Sequence, residues 1–406
     1  MFERVTLLFG AELASRGLRF LADILLVRHF GQSAFGQLNV AQSLAVQGIW
    51  VSTCGLNTAG VRSVAATAET AQSIAATVVV LRCCLASIAW AGIAGLSWLV
   101  PQYRDSFQLV ALYGLTLFTA AFNIGWVAQG RGQVRPMGLA MLAAHLAYLG
   151  GVQLVISHAW PLVSIPLVLV VAEAITAAAL WWGIVRGIGP VIRPLPLTAA
   201  LRFLREALPI GGTNLLRGIM PGSDVLLLGL FLGKAEVGQY AAALKLYSLG
   251  SALLAAYFAV LFPHLASRAA GSIANVKAAM ATGIRRSFLA AVPITAVALL
   301  LAPGVLRFLY GPDFDGATGV LRILLLVLPL QLLAGHWRAA LVAAGRQRYD
   351  LGLVACGAVV HVGAKLTLIP AVGIGGAAWG TFAGEATLLL LSWYATHAVL
   401  RDAQRR

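Results

Sequence analysis

Glu12, Arg16, Arg19 and Asp23 follow one another at steps of four, three and four residues inside an otherwise apolar run. On a helix this spacing lines them up as one stripe. Charges at the centre of a bilayer cost roughly 2.5–3.5 kcal/mol each on insertion scales, so the stripe must face protein or water. Two readings are open: the pairs Glu12–Arg16 and Arg19–Asp23 neutralise each other and lock packing, or the stripe walls a polar cavity. A second apolar run carries Asn214, Arg217 and Asp224, so that Arg16 and Asp23 recur as Arg217 and Asp224 at an offset of 201 residues. That repetition favours the cavity wall. Pro221, inside the second run, frees a backbone carbonyl and permits a kink.

Further charges sit in other apolar runs. Lys245, Arg338 and Lys365 add cations, while Glu173 and Glu385 add carboxylates at matching places in the two halves of the chain. Arg338 and Lys365 lie near the ends of their runs, where a long side chain reaches the interface. Arg82, near the start of its run, is read the same way. Lys245, about eight residues into its run, is harder to place at an interface. Asn39, Ser43 and Gln47 make one more polar face at helical spacing. With Arg82, seven intramembrane cations stand against five anions, an excess that suits an anionic substrate.

The elements that hold these residues are read from hydropathy. Hydrophobic residues make up 60% of the 406 and charged ones only 11%, with a mean hydropathy of +0.87. Soluble domains carry roughly 25% charged residues, so these are too few to coat a water-exposed globule. A spanning helix needs about 20 mostly apolar residues. Twelve such runs are expected: 5–27, 37–61, 75–99, 107–128, 137–157, 163–185, 208–232, 238–262, 284–304, 318–343, 349–369 and 374–396. Seventeen Lys and Arg fall in the gaps on the side of the N-terminus or in the first turn of an adjoining run, and five fall likewise on the other side. The positive-inside rule then puts both termini in the cytoplasm. The basic excess is therefore a topology and cavity signal, and no nucleic-acid partner is expected.

The organisation expected is an N-terminal six-helix bundle over 1–185, a proline-rich cytoplasmic linker with a short interfacial helix over 186–207, and a C-terminal six-helix bundle over 208–406. FGQSAFGQLNVAQSL resembles LGKAEVGQYAAALKL at an offset of 202, which with the Arg–Asp and Glu pairs implies a parallel repeat. The first helix is interrupted by charges and is expected to stay in the mature protein. No cofactor or metal site is expected. Cys54, Cys83, Cys84 and Cys356 lie in apolar runs without ligand spacing. His336 and His361 are isolated, Asp313-Phe314-Asp315 reads as a solvated external turn, and no P-loop occurs.

Two stretches carry a family resemblance. ADILLVRHFGQSAFGQLNVAQSLAVQGIWVSTCGLNTAGVRSVA resembles the opening of polysaccharide flippases, with a cationic first helix, a glycine-bearing external turn and a following G-L-x-T-A…R. AAGRQRYDLGLVACGAVVHVGAKLTLIPAVGIGGAAWGTFAGEATLLLL resembles their C-terminal helix pair, through L-I-P…G-I-x-G-A-A-x-x-T…E. That pair usually carries Asn near the positions held here by His361 and Lys365. The resemblance is to the Wzx-like lipid-linked oligosaccharide flippases, of the superfamily that also holds lipid II flippases and multidrug extruders.

The resemblance implies an all-α polytopic fold of two six-helix bundles in a V, with alternating access and no enzymatic activity. It implies movement of an undecaprenyl-diphosphate-linked oligosaccharide across a bacterial inner membrane, for O-antigen or another surface polysaccharide. Arg16, Arg19 and Arg217 are the expected diphosphate contacts, with Lys245, Arg338 and Lys365 as further cavity cations. Asp23 and Asp224 would orient them or couple transport to H+ or Na+, and Glu12, Asn214, Glu173 and Glu385 complete the polar lining. A polysaccharide polymerase is an expected partner. The alternative is an ion-coupled multidrug antiporter, which wants an acidic, aromatic cavity. A lipid II flippase would carry helices beyond twelve, and a membrane enzyme would need a large external loop.

Overall fold

The computed structural model describes residues 2–66, 71–188, 194–269, 273–343 and 346–404, leaving out some side chains inside the helices. Among the described residues there is no strand, and nine helices are long and apolar enough to cross a membrane. Their outer faces carry exposed apolar side chains such as Ile88, Leu99, Leu300, Phe308, Val359 and Leu390. That is the surface expected of a multi-pass membrane protein, whose solvent on those faces is lipid. The chain divides into two compact units, 1–222 and 223–406.

The N-terminal unit begins with α1 (Phe2–Thr53), which carries two expected spans as one kinked helix. The kink is at Gly31, whose φ of +78° an L side chain would strain to adopt. The gap expected between the runs 5–27 and 37–61 thus holds a single non-helical residue, with helix resuming at once. The run expected over 37–61 breaks at Cys54–Gly55, where α1 ends and α2 (Leu56–Ala66) begins. Then follow α3 (Ala71–Leu99), the short α4 (Pro101–Arg104), α5 (Phe107–Gly114), α6 (Thr116–Phe122) and α7 (Gly125–Gly130). The last three correct the uninterrupted helix expected over 107–128. Two long helices, α8 (Val134–Ser157) and α9 (Ser164–Ile188), complete the set. Leu56, Val78, Ile124, Val127 and Ile184 form the core where α2, α3, α7 and α9 meet.

Helix α10 (Leu197–Phe231) runs through the boundary between the units. Its first half belongs with the N-terminal unit because Gly55 lies directly against Ala207 and Gly211, where a β-carbon would be 2.5 Å from backbone atoms. The C-terminal unit holds the rest of α10 with α11 (Lys234–Ala269), α12 (Ile273–Tyr310), α13 (Ala317–Ala343), α14 (Gln347–Val372) and α15 (Ile374–Gln404). Gly376, Gly380 and Gly384, one turn apart on α15, face Leu368, Lys365 and His361 of α14. Small residues at four-residue spacing let two membrane helices approach closely. The glycines of the C-terminal motif thus set how near α15 comes to the charged face of α14.

Candidate functional site

Each unit gathers its own polar cluster. In the N-terminal unit the charged stripe of α1 divides. Arg16 donates to Glu12 at 2.7 Å, and both side chains are about half exposed, at 50% and 44%. One turn further on, the Arg19 guanidinium lies over the Tyr148 ring of α8, 5.6 Å from its centroid. Asp23 is buried.

Arg19 borders a cavity of about 210 Å³ between α1, α6, α8 and α9. Thr119, Asn123, His145, Tyr148, Glu173 and Thr176 supply the rest of its polar lining. Thr119 donates to Glu173 at 2.5 Å, and His145 Nδ1 is engaged by the Met141 carbonyl at 2.8 Å. The cavity therefore offers a fixed cation, a carboxylate and neutral donors and acceptors together.

One wall of the cavity is a helix break. Between α6 and α7 the backbone leaves helical geometry at Asn123 and Ile124. Irregular backbone at membrane depth needs partners for its freed carbonyls. Trp181 Nε1 donates to the Phe122 carbonyl at 2.7 Å, Arg82 to the Asn123 carbonyl at 3.2 Å, and the Asn123 side chain accepts from the Gly125 amide at 2.9 Å. Arg82 is only 2% exposed, so it does not snorkel as the sequence suggested. The backbone carbonyl inside the unit gives its guanidinium a partner that the interface would otherwise supply.

The C-terminal unit holds a denser cluster around Asp224 of α10. Oδ1 accepts from Lys365 and lies 3.2 Å from His361 Nε2. Oδ2 accepts from Tyr240 of α11 at 2.5 Å and from Thr381 of α15 at 3.4 Å. Lys365 also contacts His361 Nε2 directly. With 0% of its surface exposed, Lys365 does not reach an interface either. A buried pair of this kind is held by its own geometry, and removing one partner leaves an uncompensated charge.

Beside it, Gln331 of α13 donates to Glu385 at 3.0 Å and to Tyr247 at 2.7 Å, and accepts from Ser251 at 3.1 Å. Arg338 is bound bidentately by Asp350 at 2.6 and 3.2 Å. Lys245 is half-buried on α11. The side chains of Asn214 and Arg217 lie outside the described residues.

Of the cations expected in the lining, then, Arg19 faces a cavity, Arg16 is engaged by Glu12, and Lys365 and Arg338 are engaged by aspartates of their own unit. Sequence reasoning missed Tyr148, Thr119 and Asn123 in the first cluster and Tyr240, Thr381 and Asp350 in the second. Asn123-Ile124-Gly125 inside an apolar run was the visible signal for the break.

Among the described residues no group of three His, Cys, Asp or Glu could hold a metal ion. The sequence matches the family described as "Polysaccharide biosynthesis protein" over residues 2–268. No curated protein sequence is significantly similar to the chain. Its fold is similar to that of an inward-facing multidrug resistance MATE family transporter of the MOP superfamily, with a TM-score of 0.80 and 16% identity over 96% of both chains. It is also similar to the lipid II flippase MurJ in an inward closed conformation, with a TM-score of 0.78 and 13% identity over 96% of this chain and 87% of that one. A MOP superfamily transporter from Pyrococcus furiosus gives a TM-score of 0.65 at 15% identity, over 99% and 96% of the chains.

Proposed function

The chain belongs to the polysaccharide biosynthesis protein family, and on that premise we propose that it is a flippase for a lipid-linked oligosaccharide. Family membership over residues 2–268 is the observation that carries this reading. The substrate is an undecaprenyl-diphosphate-linked sugar unit, taken from the cytoplasmic leaflet of the inner membrane and released in the periplasmic leaflet for surface-polysaccharide assembly. Its diphosphate and sugars cannot cross about 30 Å of hydrocarbon unaided. A cationic cavity compensates the diphosphate while the prenyl chain stays in lipid, and alternating access carries the head group across. Arg19 supports this role, because it borders a cavity and its planar fork suits phosphate oxygens. Ion coupling supplies the direction, and a polymerase consumes the product.

The test is complementation of a flippase-deficient strain. The wild-type chain restores surface polymer; Arg19→Ala leaves lipid-linked precursor on the cytoplasmic face at normal membrane abundance, and Arg19→Lys recovers only part of the export. Normal polymer from a well-expressed Arg19→Ala protein would count against the cationic cavity. Failure of the wild-type chain in every polysaccharide background, with raised tolerance to cationic drugs, would favour the antiporter.

A further inference from the structure

The cavity of the N-terminal unit leaves hydrogen-bonding groups of both kinds open. Arg19 makes no hydrogen bond to a described residue, and its guanidinium lies over the Tyr148 ring. The Asn123 side chain accepts from the Gly125 amide, which fixes its oxygen and leaves the Nδ2 protons as open donors. Glu173 uses Oε2 for the Thr119 hydroxyl, and Oε1 meets no donor among the described residues. His145 gives its Nδ1 proton to the Met141 carbonyl, which can only accept, so Nε2 of the neutral ring is an open acceptor. Open donors and open acceptors therefore border the same space of about 210 Å³.

We infer that this cavity is a subsite for one uncharged sugar ring of the substrate's head group, and that Glu173 and Asn123 select it. The inference rests on the flippase reading and adds which part of the head group enters. A diphosphate has acceptors only. Inside the cavity it would satisfy Arg19 and Asn123 but face the Glu173 carboxylate and the His145 lone pair. A lipophilic cation reverses the mismatch, suiting Glu173 and facing Arg19. A hydroxyl both donates and accepts, so a ring of hydroxyls meets every open group without bringing a charge. The cavity already holds one fixed cation and one carboxylate, and a third buried charge would be left uncompensated.

The volume agrees with a single ring. Sites for drug-sized ligands hold about 300–1,000 Å³, and 210 Å³ is room for one sugar, not for a chain of them. Leu169 and Ala172 of α9 give its C–H face an apolar wall. Asn123 is oriented for the task by two bonds, from Arg82 to its carbonyl at 3.2 Å and from Gly125 to its side chain at 2.9 Å. The helix break is thus what brings an amide to the cavity wall. The diphosphate stays at the α1 edge, where Arg19 has five donors to share between a sugar oxygen and a phosphate oxygen. Arg16, one turn back and half exposed, meets the phosphate there as well.

The experiment uses the full chain in lipid nanodiscs and saturation-transfer NMR, corrected for empty nanodiscs. The probes are methyl glycosides of neutral hexoses and N-acetylhexosamines, methyl glucuronide, inorganic diphosphate and tetraphenylphosphonium. At least one neutral glycoside should bind the wild-type chain and lose about tenfold in affinity in Glu173→Gln, where a charge-assisted bond becomes a neutral one. Methyl glucuronide, kept out of the wild-type cavity by the carboxylate, should bind that variant. Loosened packing does not produce shifts of opposite sign. Asn123→Asp keeps the acceptor for Gly125 and removes the open donor, so it should weaken the neutral glycoside and still exclude methyl glucuronide. The proposal is overturned if no neutral glycoside binds wild type, or if both variants bind it as wild type does. Tetraphenylphosphonium binding that Glu173→Gln abolishes, with no glycoside bound, would overturn it in favour of the antiporter. Complementation keeps the two readings apart. A chain that restores polymer but binds no glycoside refutes the subsite alone, whereas one that binds glycosides but restores no polymer refutes the flippase reading and leaves the sugar site standing.

Discussion

In the N-terminal unit Arg19 borders a cavity of about 210 Å³, whereas in the C-terminal unit Lys365 fills the space beside Asp224 with its own ammonium. The carboxylates are nevertheless placed alike. Glu173 on α9 of the first unit accepts from Thr119, and Glu385 on α15 of the second accepts from Gln331. Asp23 and Asp224 are both buried. What differs is the source of positive charge. The first unit presents it from α1, where the cavity leaves room for a solute. The second carries it on α14, between α10 and α15, where glycines bring the helices into contact. Two repeats with the same acidic pattern thus diverge in whether their charge is available to a solute or spent on each other.

The sharpest way to break this comparison is to remove one member of the C-terminal pair. Asp224→Asn or Lys365→Met leaves a buried charge without its partner and should cost about 3–5 kcal/mol. Thermal unfolding of purified protein and membrane abundance would show the loss. The double variant Asp224→Asn/Lys365→Met should recover most of it, because a neutral pair has no charge to strand. If each single variant melts like wild type, the cluster does not hold the unit together, and the contrast between the two units disappears.

An effect of intermediate size is expected at Glu173. Its hydrogen bond from Thr119 survives as a neutral bond in Glu173→Gln, so stability should fall by no more than about 1 kcal/mol. Transport should respond more strongly, since the cavity loses its carboxylate beside Arg19. A melting temperature as depressed as that of Asp224→Asn would mean that the N-terminal cluster is a structural lock as well.

How much of this was legible in the sequence follows the range of each interaction. The helical runs, the stripe on α1 and the matched Glu173 and Glu385 depend on local spacing or internal repetition, so one sequence displays them. The Lys365–Asp224 pair joins residues 141 apart, and no periodicity encodes which buried anion a cation meets. The sequence therefore leaves Lys365 an interface to reach, while the structure buries it. Arg82 was misjudged for a related reason: its partner is a carbonyl freed by a helix break, and hydropathy smooths such a break away. Asn123 and Gly125 marked the break, and the four-residue spacing of Gly376, Gly380 and Gly384 marked the close helix pair. Both signals are small residues in apolar runs, where a reading guided by charge does not look.

The smallest effect on stability is expected at Arg16, and it bears most directly on what the N-terminal unit does. Its pair with Glu12 is a one-turn contact between half-exposed side chains. Pairs of that kind contribute about 0–1 kcal/mol, because neither charge gives up much hydration to form them. Arg16→Ala and Glu12→Gln should therefore each leave the melting temperature within about 2 °C and membrane abundance unchanged. Their effects on export should differ in sign if Arg16 meets the diphosphate. Arg16→Ala removes a binding charge and should abolish polymer, whereas Glu12→Gln frees the guanidinium and should maintain or raise export. A packing role predicts the reverse: Glu12→Gln would then be as harmful as Arg16→Ala, and the double variant would restore what either single change lost. Measuring polymer in the two single variants and the double, each normalised to protein in the membrane, separates the cases. Restoration in the double variant would return the outer part of the stripe to packing and leave Arg19 as the cation by which the first unit differs from the second.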